Sequence, residues 1–173
     1  RLSNRWDVVA GALSSNPETA KSAGQKWHFD PDRCYLDYAQ MAKKEAERPD
    51  GIDAVAIVTP NHLHAPVALE FMKHGIDIIC DKPVTARLEE VAELTAEQKR
   101  SGVFFGVTYT YASHPMIRQA REMVRSEDLG DIRQVHVEYF QDWAIDLTDE
   151  QANAPWRLDL EKSGPSFTVA DIG

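Results

Sequence analysis

The chain has 173 residues, of which 43% are hydrophobic and 27% are charged, proportions typical of an ordinary globular protein. Its net charge of −9 argues against a nucleic-acid or anionic-membrane partner, because both would require a basic surface. No apolar run reaches the roughly 18 residues of a membrane-spanning helix, and two cysteines are too few for a disulfide framework. These features favour a cytoplasmic protein.

Strand and helix patterns alternate through the first part of the chain. Residues 6–13 form a short apolar run that predicts a strand. A helix is predicted over 17–25, because it begins with a proline, which favours the first helical turn. Residues 37–48, rich in Ala, Lys and Glu, predict a second helix. Residues 52–58 are mostly β-branched or small and apolar, which is typical of a strand buried on both faces.

The same alternation continues along the chain. A helix is predicted over 64–74, where Gly75 provides a C-cap. A strand over 76–80, a helix over 86–100 and a strand over 103–107 follow. Strands joined through single helices by short connections form βαβ units. The sequence therefore predicts an α/β fold with a Rossmann-type, doubly wound parallel sheet.

The pattern changes after Tyr111. Residues 115–127 predict a helix with one apolar face, and residues 132–143 alternate between apolar and polar side chains. This alternation predicts a long strand of an antiparallel sheet with one face in water. We therefore divide the chain into a partial nucleotide-binding domain, residues 1–112, and the beginning of an α+β substrate domain, residues 113–173.

Polar or conformationally special residues follow four of the predicted apolar runs. Parallel strands present their carboxyl ends at one edge of a sheet, where helix N-termini and free backbone N–H groups bind ligands. This rule selects four segments, which are residues 14–16, 59–61, 81–83 and 108–111. We predict that these segments meet around a bound ligand.

Lys82 is the candidate for chemistry within these segments. A lysine directly after a buried strand can form a hydrogen bond with a hydroxyl group that is being oxidised. Pro83 restricts the backbone of the residue before it and would hold Lys82 in one place. The alternative is a solvated lysine in a turn, and the spacing alone favours that alternative.

Three other features leave more than one interpretation. His62 and His64 form a His-x-His pair, but no third ligand stands at a familiar spacing, so we predict no metal site. Trp156 and Arg157 could bind a hydroxylated or carboxylated ligand by stacking and paired hydrogen bonds, or could be a core aromatic beside a surface charge. Cys80, at the end of a strand, is expected to be packed rather than reactive.

Four pieces of the sequence follow one another along the chain. They are residues 55–61 with His64, Cys80-Asp81-Lys82-Pro83, Trp156-Arg157 with Ser163-Gly164-Pro165, and Asp171-Ile172-Gly173. Together and in this order they resemble the Gfo/Idh/MocA oxidoreductases, the family of glucose–fructose oxidoreductase and inositol dehydrogenase, whose Glu-Lys-Pro motif would have Asp in place of Glu here. No Gly-x-Gly-x-x-Gly segment, the usual mark of a dinucleotide site, accompanies them.

The resemblance implies roles for these positions. Lys82 would lie beside a nicotinamide and assist hydride transfer, and Asp171 would belong to the same catalytic group. Together with the strand-end rule, the resemblance assigns cofactor binding to ten residues, which are Ser14, Ser15, Asn16, Thr59, Pro60, Asn61, His64, Asp81, Lys82 and Pro83. It assigns substrate binding to Tyr109, Tyr111, Trp156 and Arg157.

The resemblance also implies that the chain is an internal fragment. The family's glycine-rich loop would precede Arg1, and its catalytic histidine would fall two positions after Gly173. Ser14 stands where many NAD-binding members have an acidic residue, and without that carboxylate a 2′-phosphate is not repelled. NAD and NADP both stay open, with a slight preference for NADP.

The predicted function is hydride transfer between a nicotinamide cofactor and a sugar, inositol or related polyol or ketose. The alternative is a non-catalytic nucleotide-binding sensor or regulator on the same scaffold. The residue two positions after Gly173 would separate the two, because the enzyme requires a histidine there. The resemblance further implies a homo-oligomer, formed through the second domain of the intact protein.

Overall fold

The structure, a computed structural model, describes residues 5–140, 142 and 156–166. At its centre lies a parallel sheet of three strands in the order β1-β2-β3. The strands are β1 (Ala54–Ile57), β2 (Asp77–Cys80) and β3 (Phe105–Val107). The predicted parallel α/β sheet of Rossmann type is thereby confirmed.

Six helices are described, and their ends follow simple capping rules. The Asn16 and Asp37 side chains accept hydrogen bonds from backbone N–H groups in the first turns of α1 and α2. Gly102 ends α4 in a left-handed conformation that favours glycine. The helices are α1 (Pro17–Trp27), α2 (Tyr38–Glu47), α3 (His64–Lys73), α4 (Leu88–Ser101), α5 (Pro115–Arg125) and α6 (Leu160–Ser163). Short 3₁₀ turns cover Pro31–Arg33, Asn61–Leu63, Tyr111–Ser113 and Trp156–Leu158.

The core lies between the sheet and the helices that connect its strands. Helix α3 joins β1 to β2 and contributes Ala68, Phe71 and Met72, all at most 1% exposed. Ile57 of β1 and Ile78 of β2 belong to the same cluster and are equally buried. Burial of each large apolar side chain contributes about 1.5–3 kcal/mol, so this cluster holds the strand ends in place. Among the described residues, no helix is both long and apolar enough to cross a bilayer.

A charged network that the sequence did not reveal lies beside this core. Glu45 of α2 is 1% exposed, and Arg33 and Tyr35 are 5% and 2% exposed. The Tyr35 hydroxyl donates to Glu45 Oε1 over 2.7 Å, Arg33 Nε donates to the same oxygen over 3.1 Å, and a second Arg33 nitrogen pairs with Oε2. Burial, followed by the hydrogen bond to Glu45, raises the pKa of Tyr35 to about 12. The network fastens the 3₁₀ turn before Tyr35 to α2.

The strand predicted over residues 6–13 is not formed. Among these residues, Gly11 alone makes a parallel bridge, and its partner is Cys34. The Gly11 N–H donates to Arg33 O over 3.1 Å, and the Tyr35 N–H donates to Gly11 O over 2.9 Å. A strand requires a neighbouring backbone along its whole length, and the described residues provide one only at this position. The run was also expected to be buried, whereas Trp6 and Leu13 at its two ends are 59% and 45% exposed.

The strand predicted over residues 132–143 is also not formed within 132–140 and 142, and residue 143 lies outside the described residues. Val135 and Val137, which would face the core of an antiparallel sheet, are 75% and 79% exposed. No described strand lies beside them to complete a backbone ladder. Helix α5 before this stretch is formed as predicted, although it ends at Arg125 and buries no residue.

Candidate functional site

The carboxyl ends of the three strands bring together three of the four predicted segments. Because Ile57 pairs with Cys80 and Cys80 with Val107, the residues that follow the strands lie at one edge of the sheet. The backbone continues this pairing, with Asp81 N–H donating to Ile57 O and Thr108 N–H to Cys80 O, both over 2.9 Å. The edge is therefore a continuous strip of backbone and polar side chains.

The fourth segment, residues 14–16, is not paired with this sheet. Asn16 Oδ1 accepts a hydrogen bond of 3.1 Å from Thr19 N–H and thereby caps α1, and Ser14 Oγ accepts one of 3.1 Å from Asn16 N–H. The described contacts of Asn16 therefore make it a helix cap. Cofactor binding by Ser14, Ser15 and Asn16 stays a prediction.

Lys82 lies two residues after the end of β2 and is partly buried at this edge. The peptide bond between Lys82 and Pro83 is cis. A position on a solvent-facing helix, or at the opposite edge of the sheet, would have been incompatible with the hydride-transfer interpretation. The observed backbone position is compatible with it, and the catalytic role of Lys82 stays a prediction.

Asp81 links the Lys82 loop to the neighbouring strand. Its Oδ1 accepts a hydrogen bond of 2.8 Å from Lys82 N–H and another of 2.8 Å from the Thr108 hydroxyl. The carboxylate also contributes, after burial, to raising the pKa of the Cys80 thiol to about 12. Cys80 is fully buried, and at neutral pH its thiol is protonated, which agrees with the predicted packing role.

His64 is buried between two backbone carbonyl groups. It is 1% exposed, with Nδ1 2.6 Å from the carbonyl oxygen of Pro83 and Nε2 2.9 Å from that of Thr59. The ring therefore joins the loop after β1 to the loop after β2. Cofactor binding by His64 stays a prediction.

Asn61 has a protein partner that the sequence did not reveal. The side chain is 6% exposed, and its Nδ2 donates a hydrogen bond of 2.8 Å to Ser163 O. Cofactor binding by Asn61 stays a prediction. We call residues 156–166, which contain Ser163, the docked segment.

Three of the four predicted substrate residues are exposed, and Trp156 is partly buried. Tyr109 and Tyr111 are each 46% exposed, and the Tyr111 hydroxyl lies 2.8 Å from that of Tyr139. In the docked segment, the Arg157 guanidinium carbon lies 4.8 Å from the centroid of the Trp156 ring. Binding of a ligand by these residues stays a prediction. Asp171, predicted to be catalytic, lies outside the described residues.

Two buried polar atoms at the edge have no hydrogen-bond partner among the residues that the structure describes. They are Thr59 Oγ1 and His62 Nδ1, both in the loop that follows β1. An unpaired buried polar group costs about 1–3 kcal/mol, so most such groups in proteins are paired. These atoms are consistent with a polar ligand at this edge. Within the described part of the chain, no three His, Cys, Asp or Glu side chains are grouped as metal ligands.

Family models match most of the chain. Residues 2–109 match the model described as an oxidoreductase family with an NAD-binding Rossmann fold, and residues 117–173 match the GFO/IDH/MocA C-terminal domain. The chain belongs to the Gfo/Idh/MocA oxidoreductase family. The resemblance carried by Lys82, Trp156 and the neighbouring motifs is thereby confirmed at the level of the family.

Individual Gfo/Idh/MocA proteins match nearly the whole chain. The uncharacterized oxidoreductase YfiI of Bacillus subtilis is 33% identical over 99% of this chain and 44% of its own length. Levoglucosan dehydrogenase of Pseudarthrobacter phenanthrenivorans is 30% identical over 95% of this chain and 39% of its own. An inositol dehydrogenase homolog from Azotobacter vinelandii, solved with NAD⁺, has a TM-score of 0.88 and 37% identity over 96% of this chain and 43% of its own.

The chain thus spans less than half the length of these relatives. A chain that contains this sequence and has their full length is called the full-length chain below.

Sequence reasoning missed the contacts of Asp81 with Thr108 and of Asn61 with Ser163. The first could have been found from strand register, because Cys80 pairs with Val107 and the next residues on each strand are Asp81 and Thr108.

Proposed function

We propose that the full-length chain transfers hydride between a nicotinamide cofactor and a carbon-bound hydroxyl of a sugar, inositol or related polyol, or the corresponding ketone. The observation that supports this most directly is the position of Lys82 at the carboxyl edge of the parallel sheet. In a family with an NAD-binding Rossmann fold, this edge is where a dinucleotide is expected.

The residues at the edge fit such a cofactor. The Thr59 hydroxyl has no partner within the described part of the chain, and the loops at 59–61 and 81–83 offer backbone groups beside the N-terminus of α3. When bound, the nicotinamide accepts or supplies the hydride. The cofactor can be NAD or NADP, because Ser14 has no carboxylate that would repel the 2′-phosphate of NADP.

Lys82 would act on the substrate oxygen. Its ammonium group can donate a hydrogen bond to the reacting oxygen and stabilise the negative charge that develops as the hydroxyl proton leaves. Asp171 would help to orient the same oxygen. Stabilisation of this kind requires a donor that is already in place before the reaction, because reorganisation in the transition state costs free energy.

Three neighbours keep the Lys82 backbone in place. Asp81 accepts from its N–H over 2.8 Å, and His64 lies 2.6 Å from the carbonyl of Pro83. The Thr108 hydroxyl holds Asp81 from the adjacent strand. A loop fixed on both sides is expected for a catalytic donor and would be unnecessary for a solvated lysine in a turn.

The test is Lys82→Ala in the full-length chain. We expect kcat to fall about 10²–10⁴-fold, as for loss of a general acid–base group, with NADH affinity nearly unchanged. Turnover of inositol and of levoglucosan is followed by nicotinamide absorbance, and NADH binding by fluorescence. Lys99→Ala is the matched control, because Lys99 is exposed on α4. An unchanged kcat in Lys82→Ala would remove Lys82 from the mechanism.

A non-catalytic nucleotide-binding sensor is not favoured, because a levoglucosan dehydrogenase is among the relatives. A sensor would still bind the cofactor at the same edge but would have no use for a fixed proton-handling group. Binding of NADH by the full-length chain without turnover of any polyol or sugar would favour the sensor. The predicted homo-oligomer and the domain boundary near Ser113 stay predictions.

A further inference from the structure

The docked segment returns from the second matched domain to the edge that carries Lys82. Asn61 and Ser163 are separated by 102 residues, yet the Asn61 amide donates to Ser163 O over 2.8 Å in a buried contact. Ser163 is 3% exposed, and its hydroxyl donates to Asp159 O over 2.9 Å. The loop after β1 therefore holds the end of α6 through a buried hydrogen bond, which solvent cannot readily replace.

A second contact, on the loop after β2, fixes the same segment. A Cβ atom added to Gly164 would lie 2.5 Å from Ala86 O, so the two backbones are in direct contact. Gly164 has a φ of +84°, a conformation that side-chain-bearing residues rarely adopt. Only glycine fits both requirements. The docked segment is thus attached on both sides of the Lys82–Pro83 loop.

A third contact is weaker. Arg87 and Glu161 form an ion pair of 3.3 Å, with side chains 60% and 85% exposed. Pairs this exposed contribute little to stability. The attachment therefore depends on the two buried contacts, one through Asn61 and one through Gly164.

Trp156 and Arg157 stand on the 3₁₀ turn directly before α6. Attachment of α6 to the edge consequently limits where the Trp156 ring and the Arg157 guanidinium can lie. The Arg157 guanidinium carbon lies 4.8 Å from the centroid of the Trp156 ring, and an aromatic beside a guanidinium group suits a hydroxylated ligand.

We propose that Asn61 is a positioning residue for the polyol or sugar substrate: it anchors the docked segment and thereby places Trp156 and Arg157 beside the Lys82 loop. The inference rests on the proposed function above. It differs from the cofactor role that the sequence predicted for Asn61, and the two roles have different kinetic signatures. A cofactor residue changes the affinity for NADH, whereas an anchor of the docked segment changes the KM of the substrate.

The first experiment uses Asn61→Leu in the full-length chain. Leucine is branched at Cγ like asparagine, although its side chain is larger, and it has no donor for Ser163 O and no added charge. We expect the KM for inositol or levoglucosan to rise about tenfold, which corresponds to about 1.4 kcal/mol. The dissociation constant of NADH, from a fluorescence titration, should stay within about twofold. A weaker NADH affinity with an unchanged substrate KM would overturn the proposal, and so would no change in either quantity.

Gly164→Ala tests the same attachment without touching Asn61. The added Cβ would collide with Ala86 O, so we expect the same combination of a raised substrate KM and an unchanged NADH affinity. Glu161→Gln is the matched control on the docked segment, because it removes only the exposed pair, and it should leave both quantities within about twofold. A substrate KM unchanged in Gly164→Ala would count against the anchor.

Hydrogen–deuterium exchange provides a readout that needs no substrate. Amides of residues 156–164 should exchange about tenfold faster in Asn61→Leu than in the unchanged chain, whereas amides of α4 should not change. If the unchanged chain turns over neither compound, the proposed function fails, and the exchange rates alone decide whether Asn61 anchors the docked segment. Equal exchange rates in the two chains would overturn the anchor even if the enzyme is active.

Discussion

Helices α3 and α5 contrast the two parts of the molecule. The sequence predicted α3 from its place between two strands and from the Gly75 C-cap, and α5 from apolar positions on one face, and both helices are present. Yet α3 buries six of its ten residues against the sheet, whereas α5 buries none, and its Met116 is 76% exposed. The difference lies in the partner: α3 connects two paired strands, and no described strand pairs with residues 132–140 after α5. The sequence pattern therefore predicts that a helix forms, whereas the extent of its burial depends on the element that packs against it.

Phe71→Ala, in the core that α3 packs against, should lower the free energy of unfolding more than any other substitution proposed here. The ring is 1% exposed in the centre of the core, and its removal leaves a cavity that the surrounding side chains fill only in part. We expect the free energy of unfolding to fall by about 4 kcal/mol. Urea denaturation followed by circular dichroism measures it. A loss below about 1 kcal/mol would show that α3 is packed no better than α5.

Glu45→Gln tests whether the charged network of the first part is as important as its apolar core. The substitution removes the buried counter-charge of the Arg33 guanidinium while the shape of the side chain is kept, and it leaves Arg33 only the longer pair of 3.6 Å with the exposed Asp50. Breaking a buried pair from one side costs about 3 kcal/mol. Glu47→Gln is the control, since Glu47 is exposed at the end of the same helix. Equal denaturation midpoints for the two variants would contradict a structural role for the pair.

The pH dependence of stability tests the contact between Tyr35 and Glu45 in the same charged network. Burial and the hydrogen bond to Glu45 raise the pKa of Tyr35 from 10.0 to about 12. A raised pKa means that the folded state favours the protonated phenol, so this stabilisation is complete below pH 10 and is lost as the pH rises to about 12. The expected loss is about 2 kcal/mol. Tyr35→Phe should lose less stability over this interval, and equally steep profiles would contradict the assignment.

The sequence predicted elements better than it predicted contacts. The strands and helices between residues 54 and 107 were identifiable because each carries its own apolar period, and the strand-end rule placed Lys82 at the correct edge. His64 and Asn61 were assigned to a cofactor, because a motif shows residue types but not their partners. The partner of Asn61 lies 102 residues away, and the partners of His64 are backbone oxygens that depend on how two loops meet.

Val137→Ala should give the smallest effect and completes the comparison with Phe71→Ala. Val137 is 79% exposed, so truncation removes little contact area, and the expected change in the free energy of unfolding is within about 0.5 kcal/mol. The measurement uses this 173-residue chain, in which no described strand pairs with residues 132–140. A loss of about 1 kcal/mol or more would mean that the alternating stretch is packed in solution. The two sides of the molecule would then differ less than α3 and α5 suggest.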